Sequence, residues 1–150
     1  GKWRNTNAFI TNTDVKTTEF NDISREVLKL GDAYSEILDL ANLINEAQSP
    51  DLLIQYINKC IYLKCKLIKI HPFSDGNGRC CRALVNLLFK EVGLPPVYII
   101  SSERDEYLKA MQSAVESDDY SLINKFYYYK ICDSIYELDI VNRQNTGKTK

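Results

Sequence analysis

Apolar side chains recur every three or four residues through most of this chain, and that spacing predicts helices that bury one face. The longest such stretch opens at Ser49-Pro50-Asp51, where proline suits the first turn of a helix. Apolar positions then keep helical spacing as far as Ile70. The helix must end near that point, because the residue before Pro72 is disfavoured in the α region.

A second helix is predicted from just after Gly76 to Val92, with Gly93 as the residue that ends it. Its middle, residues 83–89, is apolar almost all round. Such a helix is typical of the centre of a bundle, where other helices surround it. We therefore expect this helix to be the central one.

The first part of the chain has a different pattern. Residues 8–20 are rich in β-branched types with turn-forming residues in the middle, which predicts a β-hairpin. Helical spacing resumes at Asn21-Asp22 and continues to about Ile44, either as two helices or as one helix interrupted at Gly31.

The last part of the chain returns to helical spacing. Two helices are predicted at about 102–116 and 119–138. The remaining residues, 142–150, are polar and are expected to be a disordered tail. The whole pattern predicts a mainly α-helical fold with a short β-hairpin.

Composition places this pattern in one globular domain. The chain has 150 residues, of which 45% are hydrophobic and 26% charged, as in ordinary soluble domains. The net charge of −1 gives no support to a nucleic-acid partner, because phosphate backbones are bound by an excess of Lys and Arg. No apolar run approaches the ~20 residues of a membrane-spanning helix, and no signal peptide opens the sequence, so no membrane partner is expected.

The cysteines bear on metal binding and on compartment. They number five, none forms a Cys-x-x-Cys pair, and the chain has one histidine. A Cys/His zinc site is therefore not expected. Small apolar thiols of a reducing cytoplasm are the favoured interpretation, and secretion into a host cell is the alternative that stays open.

Candidate chemistry lies between the two best-defined helices, at Gly76-Asn77-Gly78. Two residues without Cβ let main-chain N–H groups approach a ligand closely. The helix that follows directs its free N–H groups and the positive end of its dipole to the same place, which favours a phosphate. The segment therefore predicts an anion site.

Two arginines strengthen that prediction. Arg79 and Arg82 occupy the first turn of the helix at positions i and i+3, so they share a face. Cations there oppose the helix dipole by about 0.3–1 kcal/mol each, and a bound polyphosphate would remove the conflict. The alternative is that both arginines pair with carboxylates elsewhere in the fold.

Asp75 and His71 supply the remaining chemistry. Asp75, the carboxylate of this loop, suits Mg²⁺ that shares oxygens with a nucleotide, or alternatively an N-cap of the helix. A neutral imidazole at His71 can accept a proton from an attacking hydroxyl near pH 7, although a lone histidine is more often packed or at the surface. These residues together predict a polyphosphate site with Mg²⁺ and a general base.

Residues 71–82, His-Pro-Phe-Ser-Asp-Gly-Asn-Gly-Arg-Cys-Cys-Arg, resemble the signature of the Fic family at every specified position. That signature reads His-Pro-Phe-x-Asp/Glu-Gly-Asn-Gly-Arg-x-x-Arg. Other segments are also similar to parts of the family: 1–4, 9–20, 93–96 and 104–107. The resemblance implies a Fic-type helical bundle over residues 1–141, with a β-hairpin flap at about 9–20 and the polar tail, 142–150, beyond it.

The resemblance also implies a role for each site residue. His71 would be the general base, and Asp75 would hold Mg²⁺. Six residues would bind the nucleotide: Gly76, Asn77, Gly78, Arg79, Arg82 and Tyr107. The first three would surround the α-phosphate of ATP, with the Asn77 side chain in contact with it. The two arginines would bind the outer phosphates, and the tyrosine would line the adenine pocket.

The flap implies a protein partner. Its residues Ile10, Thr11, Asn12 and Thr13 would hold the main chain of a target protein as an added strand. The implied activity is protein adenylylation, in which AMP passes from ATP to a Tyr, Thr or Ser hydroxyl and pyrophosphate is released.

Other functions remain open. The same scaffold could use another nucleotide, phosphocholine or phosphate as the donated group, or could remove AMP. A non-enzyme alternative is an inactive nucleotide-binding or interaction module, such as a helical regulator with a structural anion site.

Many members of the family carry a self-inhibitory helix, Ser/Thr-x-x-x-Glu-Gly/Asn, whose Glu pairs with the second arginine of the signature. This sequence contains no such segment. The inhibitor would then lie outside the sequence, on a separate antitoxin-like partner protein, or not exist. Arg82 would be unrestrained in this chain, and we predict constitutive activity.

Overall fold

The computed structural model describes residues 2–10, 15–47 and 49–146. The described residues form six α-helices and two short 3₁₀ turns. The helices are α1 (Ile23–Leu28), α2 (Leu30–Ala47), α3 (Pro50–Ile70), α4 (Asn77–Glu91), α5 (Arg104–Ser117) and α6 (Ser121–Thr146), and the 3₁₀ turns are Phe20–Asp22 and Ser101–Glu103. The prediction of a mainly α-helical fold is confirmed.

Helix α3 is the centre of the bundle. It packs against α1, α2, α4, α5 and α6, and its residues Tyr56, Cys60 and Ile61 have no solvent-exposed surface. Helix α4 was predicted to be central, and this is wrong, because Leu87 is 63% exposed and Ala83 is exposed as well. An apolar pattern shows which side chains could be buried. The number of helices that pack around them decides which side chains are buried.

Local stereochemistry sets the ends of α3 and α4 as predicted. Pro50 occupies the first turn of α3, and His71 ends that helix in the left-handed conformation. Gly93 follows α4 with φ at 74°. The break between α1 and α2 falls at Lys29, whereas Gly31, where an interruption was considered, lies inside α2.

The last helix is longer than predicted. Helix α6 continues to Thr146, so the boundary expected at residue 141 falls inside it, and Asn142–Thr146 is helical rather than disordered. An ion pair of 2.8 Å between Asp139 and Arg143 has the i,i+4 spacing that stabilises exposed helices. The remaining residues of the predicted tail, 147–150, lie outside the described residues.

The predicted β-hairpin is not shown by the described residues. One isolated antiparallel bridge joins Phe9 to Lys16, and the described residues contain no longer strand. Three of the four predicted flap residues, Thr11, Asn12 and Thr13, lie outside the described residues, and Ile10 is half-buried. Among the described helices, none combines the length and apolar character that crossing a lipid bilayer requires.

Candidate active site

The main chain of His71 turns sharply where α3 ends. Its φ and ψ angles are 53° and 58°, in a left-handed region that few residues other than glycine occupy. The N–H group of His71 still bonds to the carbonyl of Leu67 at 3.0 Å, while its own carbonyl accepts a hydrogen bond of 2.7 Å from Nε of Arg4. The chain therefore leaves the helix abruptly, with the histidine held at the turn.

The imidazole of His71 lies in a partly desolvated position. Its Nδ1 atom is buried and makes no hydrogen bond of normal geometry. Burial lowers the pKa of His71 below its ordinary value; the nearby Ile68 carbonyl opposes this, and the positive charge of Arg4 adds to it. The ring is therefore neutral near pH 7, which is the form that a general base requires.

The loop after His71 is held by the side chain of Asn77. Its Oδ1 atom accepts the N–H of Phe73 at 2.9 Å, and its Nδ2 donates to the carbonyl of the same residue at 2.7 Å. Asn77 is 3% exposed, and the ring of Phe73 packs on Trp3 with the centroids 5.5 Å apart. The asparagine and the aromatic pair thus fix the loop to the body of the domain.

This arrangement differs from the expected contact of the Asn77 side chain with a phosphate. Both polar ends of the side chain are bonded to the main chain of the loop, because the loop has no sheet or helix partner of its own for those groups. The main chain of Asn77, at the first position of α4, is not engaged by these two side-chain bonds.

Asp75 and Arg79 form an exposed pair at the surface of the loop. Oδ2 of Asp75 lies 2.9 Å from Nη2 of Arg79, and the two side chains are 90% and 74% exposed. The other oxygen, Oδ1, accepts the N–H of Gly76 at 2.6 Å, and α4 has no side-chain N-cap bond. Arg79 thus pairs with a carboxylate, as the alternative to phosphate binding supposed. That carboxylate belongs to the same loop and not to another part of the fold.

The same carboxylate fits a Mg²⁺ ion. It is exposed, and exposed ion pairs are worth only about 0–1 kcal/mol, so Asp75 can exchange Arg79 for a metal ion at low cost. No cluster of three or more His, Cys, Asp or Glu side chains suits a metal ion in the part of the chain that the structure describes. An ion at Asp75 would therefore take further oxygens from phosphates and water, as Mg²⁺ commonly does.

Two glycines leave room for the arginine side chains. Gly76 has φ at 82°, which other residues rarely adopt. A Cβ atom at Gly78 would lie 3.3 Å from Nη1 of Arg82, so the guanidinium of Arg82 lies across the start of α4. No carboxylate forms an ion pair with Arg82 within residues 2–10, 15–47 and 49–146.

One cleft brings several of the predicted residues together. Its volume is about 430 Å³, and its lining includes His71, Gly78, Arg82 and Tyr107, with Ile10 from the flap segment. Pockets for small molecules commonly have volumes of about 300–1,000 Å³. The cleft therefore combines a base, a helix N-terminus, a cation and an aromatic wall at a suitable size.

The wall formed by Tyr107 is rigid. The residue is 6% exposed, its ring contacts Phe126 with centroids 5.6 Å apart, and Nζ of the buried Lys64 lies 4.6 Å from its centroid. A second cavity of about 350 Å³ shares Arg82 and Tyr107 and adds Arg104. Residues 104–107 resemble a segment of the family in sequence, but this resemblance does not indicate that Arg104 borders the site.

Three comparisons show which known proteins this chain resembles. Residues 8–89, more than half of the chain, match the model of the Fic/DOC family. The chain is 31% identical over 105 residues to the protein adenylyltransferase fic-1 of Caenorhabditis elegans, covering 70% of this chain and 19% of that protein. It is 51% identical over 53 residues to the protein adenylyltransferase Fic of Aedes aegypti, covering 35% of this chain and 11% of that protein.

The matched chain thus spans less than a fifth of the length of these curated relatives. Among solved structures, a Fic domain containing signaling protein from Bacteroides thetaiotaomicron VPI-5482 has a similar fold, with a TM-score of 0.64 over 90% of this chain and 53% of that chain. At 20% identity, this similarity concerns the fold alone.

Proposed function

The chain belongs to the Fic/DOC family, and from this premise we propose that it is a protein adenylyltransferase. It would transfer AMP from ATP to a hydroxyl group of a target protein and release pyrophosphate. Relatives that it matches carry the name protein adenylyltransferase, which supports this choice among the transfers that such a site could perform.

The observation that carries the proposal is the shared cleft of His71, Gly78, Arg82 and Tyr107. These residues come from the end of α3, the start of α4 and the first turn of α5. Each supplies what one part of the reaction needs: a base for the hydroxyl, N–H groups and a cation for phosphates, and an aromatic surface for a nucleobase.

The reaction follows from this arrangement. The neutral imidazole of His71 accepts the proton of the target hydroxyl as the hydroxyl oxygen attacks the α-phosphorus of ATP. The bond from the α-phosphorus to the bridging oxygen breaks, and pyrophosphate leaves with that electron pair. The N–H groups at the start of α4 stabilise the charge on the α-phosphate oxygens, and Arg82 stabilises the leaving group.

Asp75 and Arg79 have linked roles in this proposal. Asp75 would hold Mg²⁺, which supplies positive charge beside the leaving phosphates when it is bound. Arg79 would then be released from its pairing with Asp75 and bind the outer phosphates, which it can do bidentately.

The target protein would dock beside the cleft. Ile10 contributes to the cleft lining, and the bridge between Phe9 and Lys16 brings the two sides of the segment together. We expect the target's main chain to pair with this segment, at Ile10, Thr11, Asn12 and Thr13, as in other cases of strand addition.

The proposal is tested by following two labels of ATP. The chain is incubated with Mg²⁺, a cell lysate and ATP that is labelled either at the α-phosphate or at the γ-phosphate. We expect the α-label to enter protein and the γ-label to remain in small molecules, because pyrophosphate carries both outer phosphates. The His71→Ala variant is expected to lose transfer while it retains ATP binding.

Other outcomes would favour other functions. Transfer of the γ-label would point to phosphorylation and overturn the proposal. ATP binding without transfer of either label would favour a nucleotide-binding module or a donor other than ATP.

A further inference from the structure

Arg4 is a buried arginine that bonds to the main chain at the end of α3. It is 3% exposed, and no carboxylate forms an ion pair with it in the described part of the chain. Its guanidinium instead bonds to the main chain of two segments that are far apart in sequence. Burial lowers the pKa of Arg4, and the negative charge of Glu19 opposes this. Burying a cation without a paired carboxylate costs free energy. The question is therefore what the hydrogen bonds of Arg4 hold in place.

His71 has a conformation that needs support. The left-handed region costs most residues about 1–2 kcal/mol. Because Pro72 follows, a residue at this position ordinarily adopts the β or polyproline region. Rotation into either region would turn the imidazole away from the cleft that it shares with Gly78 and Arg82.

Arg4 contacts the main chain on both sides of this turn. Its Nε donates to the carbonyl of His71 at 2.7 Å, and Nη2 donates to the carbonyl of Ile70 at 3.3 Å. Its main-chain N–H donates to the carbonyl of Pro72 at 2.9 Å. A change of ψ at His71 would swing the His71 carbonyl away from the guanidinium, so these bonds favour the left-handed conformation.

The same guanidinium reaches the segment that carries the predicted flap. Nη1 donates to the carbonyl of Thr6 at 2.7 Å. Nη2 donates to the carbonyl of Thr18 and to Oγ1 of Thr17 at 3.4 Å. Thr17 and Thr18 closely follow Lys16, which forms the bridge with Phe9.

We propose that Arg4 is a positioning residue, which holds the main chain of His71 in the conformation that directs its imidazole into the cleft. It also joins that conformation to the segment on which the target protein would dock. The expected effect of Arg4 on AMP transfer rests on the proposed function. The positioning of the His71 imidazole by Arg4 does not depend on that function.

Two variants separate the contributions of Arg4. Arg4→Lys keeps the positive charge, but its single ammonium group cannot bond to all of the carbonyls. Arg4→Met removes the positive charge and all of the side-chain hydrogen bonds. We expect kcat for AMP transfer to fall by up to about 100-fold in both, the loss that a displacement of about 1 Å can cause. KM for ATP should stay close to the wild-type value, since Arg4 is outside the nucleotide site.

A second readout does not depend on activity. The chain has one histidine, so NMR of protein with labelled histidine reports its titration without assignment. The charge of Arg4 contributes to the lowered pKa of His71, although burial contributes more. We therefore expect the pKa of His71 to rise in Arg4→Met and to change less in Arg4→Lys. The other charged groups of the cleft, Arg82, Asp105 and Lys109, are the same in both variants.

Asn86→Ala is a matched control for lost stability. Its side chain also bridges main-chain groups, with Nδ2 donating to the Val97 carbonyl at 3.2 Å and Oδ1 accepting the Val97 N–H at 2.9 Å. It should lower the unfolding temperature without changing kcat or the titration of His71.

The inference is overturned if folded Arg4→Lys and Arg4→Met keep wild-type kcat, or if Asn86→Ala loses kcat to the same degree at an equal loss of stability. If the wild-type chain transfers no AMP, the proposed function fails. The titration then still decides whether Arg4 acts on His71, because an unchanged titration in Arg4→Met contradicts the link.

Discussion

Gly78 illustrates how a single missing methyl group shapes the end of the cleft at which we propose that phosphates bind. Its backbone is helical, so it does not need the conformational freedom of glycine, but the space above its Cα is occupied by Arg82. A Cβ atom would approach Nη1 of Arg82 to 3.3 Å, closer than ordinary van der Waals contact. The glycine therefore lets an arginine lie across the first turn of α4, where a helix by itself would favour an acidic residue.

Gly78→Ala is expected to weaken ATP binding. The added methyl group would require the Arg82 guanidinium to shift by a few tenths of an ångström, which would misalign a charge-assisted hydrogen bond to phosphate. A loss of about 1.4 kcal/mol corresponds to a tenfold higher Kd for ATP. Isothermal titration calorimetry with ATP and Mg²⁺ measures this effect directly.

Gly31→Ala is the control for this substitution. Gly31 lies inside α2, and a Cβ atom there would meet nothing within 4 Å. Alanine should therefore stabilise the helix by up to about 1 kcal/mol and leave ATP affinity unchanged. An unchanged Kd in Gly78→Ala as well would contradict the prediction that ATP binding depends on the exact position of Arg82.

At the scale of elements, the loop between α3 and α4 carries most of the proposed site residues, and side chains rather than a sheet hold this loop. Asn77 closes the loop through both main-chain groups of Phe73, and Trp3 packs on the phenyl ring. The loop thus keeps His71 and the start of α4 in one fixed relation.

Asn77→Ala should lower both stability and activity. It leaves the N–H and carbonyl of Phe73 without partners in a part-buried position, where such groups cost about 1–3 kcal/mol. Urea unfolding should show this decrease in the free energy of unfolding, and AMP transfer should fall because the start of α4 is no longer fixed relative to His71.

Asn86→Ala again provides the comparison. The Asn86 side chain bonds to both the carbonyl and the N–H of Val97, as the Asn77 side chain does to those of Phe73. A similar loss of stability with normal AMP transfer is expected there. If both variants lost transfer equally, the effect of Asn77 would be one of stability alone.

The ends of elements were predictable where one residue decides them. Pro50 and Gly93 act through their own allowed backbone angles, so local sequence was sufficient. The exposure of Leu87 was not predictable, because it depends on which helices pack nearby. The extent of α6 was missed because residues after 141 are polar, although the i,i+4 pair of Asp139 and Arg143 stabilises an exposed helix there. For the site, residues 71–82 adjoin along the chain and could be recognised together, whereas Arg4 contacts a residue 67 positions away and no local pattern indicates that contact.

At the scale of the whole molecule, α3 is the support against which the parts of the cleft are arranged. It carries His71 at its end, and it packs against both α4 and α5, which contribute Arg82 and Tyr107. No inhibitory carboxylate pairs with Arg82 in the described part of the chain, in keeping with the sequence, which lacks the inhibitory pattern.

We therefore expect the purified chain to transfer AMP without an activating factor. Initial rates of α-label transfer to protein, with His71→Ala as the blank, measure this property. A chain that is inactive alone and becomes active when a fractionated lysate protein is added, with target supplied in both cases, would contradict the prediction.

The position of Arg4 bears on how such a domain can be divided. The recognisable family segment covers residues 8–89, yet the arginine that bonds to the His71 carbonyl precedes it, and Tyr107 follows it. A fragment trimmed to the recognisable segment would keep the whole signature and lose both. We therefore expect that a transplant of the proposed activity into another protein needs the chain from before Arg4 to the end of α5, and not the signature alone.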